Sequence, residues 1–260
     1  AKLARALWDV GAIQDRHKSP GGQGFRLKLH ESNPQAPLSP IYLNLRVRWG
    51  TSKTPGILTV PVVCQVVREM IARVDRCGMR LDFFHVAGVP HAGDPFALEF
   101  ASTVYPPAHL LKLDKEDGPD GRRVTRLAQG DPRRAETVLL IDDLITQADS
   151  KLEAIHVLES AGLRVCDVLV IVDREQGGRQ ELERAGYRLH AIFTLRQLLD
   201  FYCAAGLMEE AIHAEAVRPI EDLQRDGNAL CLVERSVHGS HAASPCEALD
   251  EKAKGTLKDL

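Results

Sequence analysis

The sequence has no long apolar run, no excess of positive charge and no paired-cysteine motif, and each absence removes a class of function. Its apolar stretches, such as Val168 to Val172, fall far short of the roughly 20 residues that a membrane helix needs, so no membrane partner is expected. Lys+Arg number 33 and Asp+Glu 36, for a net charge of −3. That balance offers no general positive field to hold a nucleic-acid backbone by counterion release, so no nucleic-acid partner is expected either. The six cysteines (Cys64, Cys77, Cys166, Cys203, Cys231, Cys246) are scattered, without a Cys-x-x-Cys pair for zinc or redox work. They read as free thiols in a reducing, cytoplasmic setting, with Cys64 and Cys166 packed as small hydrophobes. No apolar leader segment is expected from the opening Ala1-Lys2-Leu3-Ala4-Arg5.

What is present is an ordinary globular composition, 44% hydrophobic and 27% charged, over 260 residues. At roughly 150 residues per domain this length fits one large domain or a domain with an appendage. Leu3, Leu7 and Val10 predict a short amphipathic helix over residues 2–13, and the proline- and glycine-rich stretch 19–40 predicts turns around a short strand at 25–29. Residues 57–76 carry a stripe of period 3.6 (Ile57, Val60, Val63, Val66, Val67, Met70, Ile71) that predicts a helix after Pro61. A strand is expected at 81–86, an apolar segment at 96–104 and another strand at 109–113. Residues 114–136 are so rich in charge, glycine and proline that they predict a mobile excursion.

The strongest pattern follows. Val138 to Ile141 and Val168 to Val172 read as buried strands joined by an amphipathic helix from Ser150 to Gly162, which is one β-α-β unit with a right-handed crossover. A further strand through Ile192 and a helix from 195 to 205 continue the alternation. The expected class is α/β, a mostly parallel sheet flanked by helices. The last thirty residues are polar and are expected to be partly disordered.

Asp142 and Asp143 stand where the first strand of this unit ends, and ligands of open parallel sheets bind at the carboxyl ends of strands. Adjacent carboxylates suit a sugar diol or a hydrated Mg²⁺, and the loop Thr146 to Ser150 would present N–H groups at a helix N-terminus, a cradle for phosphate. Acids and cradle together describe a sugar phosphate. The plainer alternative makes the aspartates turn caps and Ser150 a helix cap.

The segment Val138 to Ser150 resembles the phosphoribosyl pyrophosphate (PRPP) motif of the type I phosphoribosyltransferases: apolar strand, two acids, two apolar residues, Thr, and a short small-residue loop. Asp173-Arg174-Glu175-Gln176-Gly177-Gly178, Ala185-Gly186-Tyr187 and Phe193-Thr194-Leu195 resemble the orotate phosphoribosyltransferases in order and spacing. Gly11-Ala12-Ile13, Phe25-Arg26-Leu27-Lys28, Ser39-Pro40-Ile41-Tyr42 and Gly88-Val89-Pro90 fit the same family upstream, so the resemblance spans roughly residues 5–210. It implies a single domain over residues 1–225, with a small hood from 1–50 and about 190–225, followed by a polar extension over 226–260. It also implies Mg²⁺-dependent transfer of phosphoribosyl from PRPP to orotate, and a homodimer.

By the same resemblance Asp142 and Asp143 receive the ribose hydroxyls and, indirectly, the Mg²⁺, with no metal held directly by the protein. Thr146, Gln147, Ala148, Asp149 and Ser150 hold the 5′-phosphate, and Lys28 and His91 join the PRPP site. Tyr42, Leu43, Thr146 and Arg174 meet the base, the planar guanidinium matching the acceptors of orotate. Lys115 acts in catalysis from a loop that closes over the site.

Three departures stand against this pattern. Ala148 and Asp149 replace residues that are usually smaller in the cradle, and Asp149 adds a negative charge where a phosphate dianion would lie. The loop run Asp114 to Gly121 keeps only Lys115, Glu116 and Gly121 of the family pattern, with Gly118 and Asp120 among the changes. Arg122, Arg123 and Arg126 follow as substitute cations. Asp94 adds an acid after the turn at His91. A catalytically impaired homologue that binds PRPP or a nucleotide, or a transferase for another base, are the alternatives these departures raise. His238 and His241 read as solvated tail residues rather than metal ligands.

Overall fold

Val168 to Val172 is apolar at every position because both faces of its strand are covered. In the computed structural model, which describes residues 1–27, 30, 33–49, 55–76, 83–118, 121–130 and 132–237, this run lies in the strand β7 (Arg164–Asp173). Seven other strands precede or follow it: β1 (Ile13–Asp15), β2 (Ile41–Leu43), β3 (His85–Gly88), β4 (His109–Gly118), β5 (Gly121–Gln129), β6 (Thr137–Ile145) and β8 (Arg188–Thr194). The helices are α1 (Lys2–Asp9), α2 (Val60–Arg76), α3 (Asp94–Thr103), α4 (Asp149–Ser160), α5 (Gly178–Arg184), α6 (Leu195–Ala204) and α7 (Glu210–Val237).

Six strands form one sheet in the order β5-β4-β3-β6-β7-β8, parallel throughout except for the β4–β5 hairpin. The antiparallel pair β1–β2 forms a separate small sheet. Alternate strand residues feed two cores. Leu139, Ile141, Leu169 and Ile171 point to the face covered by α1, α2, α3, α6 and α7, whereas Val138, Leu140, Val168 and Val170 point to α4 and α5. From β3 the chain moves outward to β4, and from β6 it moves the opposite way to β7 and β8. The order therefore reverses between β3 and β6, and a crevice opens at their carboxyl ends.

Local signals account for the element ends. The α2 stripe Val62, Val63, Val66, Val67, Met70 and Val74 is buried at helical spacing. Thr194 and Gln197 form a reciprocal cap at the start of α6. No helix among the described residues is long and apolar enough to cross a membrane.

The expected excursion at 114–136 is a correction: the strands β4 (His109–Gly118) and β5 (Gly121–Gln129) pair antiparallel over much of it. Its charges are answered across the strands, as where Arg126 Nη2 lies 2.8 Å from Asp114 Oδ2, and Leu111, Leu113 and Val124 turn inward. Glu153 of α4 accepts a hydrogen bond from the Val124 N–H at 3.2 Å, which ties the hairpin to the body. Of the strand expected at 25–29 the described residues 25–27 carry a single bridge, between Phe25 and Ser39, and of that expected at 81–86 the described residues form a strand from His85; residues 28–29 and 81–82 lie outside the described residues. The boundary expected at 226 falls inside α7, which runs to Val237 despite Pro219 within it. His238 and His241 lie outside the described residues.

The first and last parts of the domain meet through Tyr202 of α6. It is fully buried, stacks near Trp8 with ring centroids 4.7 Å apart, and donates its hydroxyl to the Ala4 carbonyl at 2.9 Å. Tyr202→Phe should lower stability by about 1 kcal/mol, the net worth of one hydrogen bond. Tyr202→Ala should lower it by about 3–5 kcal/mol, because a cavity is added. Urea unfolding of both variants measures the two losses, and equal losses would contradict this assignment.

Candidate active site at the strand switch point

The crevice between β3 and β6 is a cleft of about 1100 Å³. Its walls are the turn Val89 to Ala92 after β3, the run from Asp142 through Lys151 at β6 and α4, Arg174 and Gln176 after β7, and Leu43 to Arg46 from the small sheet. Lys115 reaches it from β4 and Leu223 from α7. Its lining cations are Arg46, Lys115, Lys151 and Arg174, against the carboxylates Asp142, Asp143 and Asp149. Four positive groups facing three negative ones suit an anionic ligand, although the chain as a whole is acidic.

The acidic pair is held from within the strand. Asp142 Oδ1 accepts the Asp143 N–H at 2.9 Å and Asp143 Oδ1 accepts the Leu144 N–H at 2.7 Å. Lys151 Nζ stands 2.6 Å from Asp142 Oδ2, with both side chains almost wholly buried. Burial, and then the neighbouring Asp142 charge, push the Asp143 carboxyl up to about 7, while Lys151 and Arg46 pull the other way.

Beyond the pair the chain bends into the N-terminus of α4. Asp149 occupies its first turn, exposed and facing a positive helix end. The residue before it, Ala148, is buried and donates its N–H to Glu181 Oε2 at 2.7 Å. The helix has no side-chain cap, so Ser150 does not act as one. The run Asp173 to Gly178 buttresses this loop. Gly178 donates its N–H to the Thr146 carbonyl at 3.1 Å, and a Cβ at Gly178 would come within 2.6 Å of Ile145. Gly177, at φ 101°, supplies the left-handed turn that brings it there. Arg174 has its guanidinium Nε buried without a hydrogen-bond partner, and burial draws the group below its usual pKa. A charged donor left bare in a polar cleft is what an acceptor-rich ligand would satisfy.

The structure thus brings Leu43, His91, Lys115, Asp142, Asp143, Thr146, Gln147, Asp149, Ser150 and Arg174 to one cleft. It places Ala148 behind the wall, and Tyr42 away from the lining, stacked on Phe25 at 5.3 Å. Lys28 lies outside the described residues. Asp94 begins α3 behind the β3 turn, where burial raises its carboxyl to about 6. Sequence reasoning missed Lys151, Arg46, Asn44 and Leu223. Lys151 had a signal: a lysine in the first turn opposes the helix dipole and needs a compensating anion.

A mostly parallel sheet with an acidic pair and a helix N-terminus at its switch point, under a small antiparallel sheet, is the type I phosphoribosyltransferase fold. No protein-family model matches the chain. UMP synthase of Bos taurus is 33% identical over 183 residues, which are 70% of this chain and 34% of that protein. Orotate phosphoribosyltransferase of Methanocella arvoryzae is 31% identical over 144 residues, 55% of this chain and 77% of that protein. The solved structure of Leishmania donovani UMP synthase superposes with a TM-score of 0.64 at 27% identity, covering 85% of this chain and 42% of that one. The chain belongs to the orotate phosphoribosyltransferase family. It spans about a third of the length of the UMP synthases it matches.

The raised Asp143 carboxyl has a signed consequence. A group whose pKa is higher folded than unfolded contributes stability below its unfolded value, here 3.8, and loses that contribution as pH rises to about 7. Asp143→Asn keeps the acceptor oxygen and removes the titration. Relative to the parent, the variant should therefore gain stability between about pH 4 and about pH 7, by a few kcal/mol. Thermal or urea unfolding across that range tests it; a stability difference independent of pH would contradict the assignment.

Proposed function

We propose that the chain transfers phosphoribosyl from PRPP to orotate, giving orotidine 5′-phosphate and pyrophosphate, and that it does so as a homodimer. One observation carries this reading: the acidic pair, a helix N-terminus and the bare Arg174 guanidinium line one cleft at the strand switch point. The names of the relatives support the same activity.

In this reading Asp142 and Asp143 accept the two ribose hydroxyls, which fixes the anomeric carbon along the cleft. Thr146 to Ser150 and the first turn of α4 receive the 5′-phosphate, with Asp149 turned toward water. Arg174 orients the carboxylate and ring oxygens of orotate with a planar fork of donors, beside Leu43 of the small sheet. Lys115 and the His91 turn stand where the pyrophosphate leaves. The bond from the anomeric carbon to the pyrophosphate oxygen breaks, its electron pair leaving with pyrophosphate, as the ring nitrogen of orotate bonds to that carbon and its N–H proton passes to the departing pyrophosphate. Charge develops on both sides of a loose centre, so fixed positive groups and alignment supply most of the rate.

The residues fit a magnesium ion brought in on the substrate's pyrophosphate rather than one caged by the protein. Asp142 Oδ2 is taken by Lys151, and the described residues hold no cluster of three or more ligating side chains. Such an ion, when bound, would neutralise charge on the leaving group.

Pyrophosphate release with PRPP, orotate and Mg²⁺ tests the reading. Turnover is expected, and Asp142→Asn with Asp143→Asn should abolish it. Arg174→Ala should lower kcat/KM for orotate roughly 10²-fold or more, the scale of losing one preorganised donor. Turnover that survives the double aspartate change, or none in the parent, contradicts the proposal.

A further inference from the structure

Lys151 is not used in the scheme above, yet it is the most deeply placed cation of the cleft. It is 4% exposed, and its Nζ lies 2.6 Å from Asp142 Oδ2 and 3.5 Å from Ser150 Oγ. Those two contacts point to opposite ends of the proposed sugar phosphate: Asp142 is where the ribose hydroxyls would sit, and Ser150 lies in the first turn of α4, where a phosphate would sit. The ammonium group thus bridges the acidic pair and the cradle.

A hydroxyl arriving at Asp142 competes with Lys151 for the same carboxylate oxygen. A phosphate dianion arriving at the α4 N-terminus offers the ammonium group a partner of higher charge than the single Asp142 carboxylate. The helix dipole also favours that anion and disfavours an uncompensated lysine at this end. The two events reinforce one another: the hydroxyl frees the lysine as the phosphate attracts it. Asp149, the acid that departs from the family pattern in this cradle, lines the same cleft as Lys151, so the lysine supplies positive charge to a cradle that carries an extra carboxylate.

We propose that Lys151 is a positioning residue which pairs with Asp142 and passes its ammonium group to the 5′-phosphate when the ribose hydroxyls take the carboxylate. The inference rests on the phosphoribosyl reading of the cleft. It makes Lys151 both a placeholder that keeps the buried acidic pair in register and a contributor to phosphate affinity.

Lys151→Met alone would strand a buried carboxylate and risks unfolding the protein. The test therefore compares Asp142→Asn with Asp142→Asn/Lys151→Met by calorimetric titration with PRPP and Mg²⁺, because in both the buried charge on Asp142 is gone; as the single variant leaves the Lys151 ammonium without its partner, thermal unfolding first establishes that both variants are folded. If Lys151 reaches the phosphate, the double variant should bind about tenfold or more weakly than the single one, and Lys151→Arg placed on Asp142→Asn should restore part of the loss. Equal affinities in the single and double variants would mean that Lys151 serves Asp142 only and would overturn the inference. A parent that binds no PRPP would instead overturn the reading on which it rests, and the inference with it.

Discussion

A buried ion pair organises this molecule. Lys151 and Asp142 are both almost fully enclosed, and two charges taken so far out of water are tolerated only because each answers the other. The pair joins the end of β6 to the first turn of α4, so the direction in which the chain leaves the sheet is set at the point where the cleft opens. Asp143, next along the strand, then lies in a place where burial outweighs the nearby cations, and its carboxyl rises toward neutrality. The electrostatics of the site and the geometry of the β6–α4 junction are one fact.

The rest of the fold supports that junction. The reversal of strand order between β3 and β6 creates the crevice, and the Asp173 to Gly178 turn presses on the loop from behind through a glycine that has no room for a side chain. Glu175, at φ 57°, accepts the Arg196 N–H at 2.9 Å and the Gln224 side-chain amide at 3.2 Å, so α6 and α7 brace the same turn. Motif residues that resemble a binding signature therefore divide into two kinds. Arg174 faces the cleft, whereas Glu175, Gly177 and Gly178 hold the wall.

How much of this was legible in the sequence follows from how local each signal is. The β6-α4-β7 unit was readable because strands buried on both faces are apolar throughout and α4 carries its own apolar stripe. The acidic pair was readable because two adjacent acids at the carboxyl end of an apolar strand lie where open parallel sheets bind ligands, although β6 runs on to Ile145 and holds both acids within the strand instead of after it. The β4–β5 hairpin was not, since its charged residues look solvated until a partner strand is known, and that partner is specified by register rather than composition. Lys151 was hidden for a similar reason: a lysine beside a serine reads as surface, and its burial depends on an aspartate nine residues earlier. The separation of Leu43 from Tyr42 came from the alternation of side chains on β2, which motif matching ignores. The continuation of α7 past 226 was missed because the polar composition of that stretch argued against an ordered helix.

The central claim is that this cleft grips a sugar phosphate between the acidic pair and the α4 N-terminus. A crystal structure with PRPP and magnesium bound tests it most directly. The account predicts ribose hydroxyls within hydrogen-bond distance of Asp142 and Asp143, the 5′-phosphate at the Thr146 to Ser150 loop, and Lys151 turned from Asp142 to that phosphate. PRPP bound elsewhere, or bound with its phosphate away from α4, would contradict it.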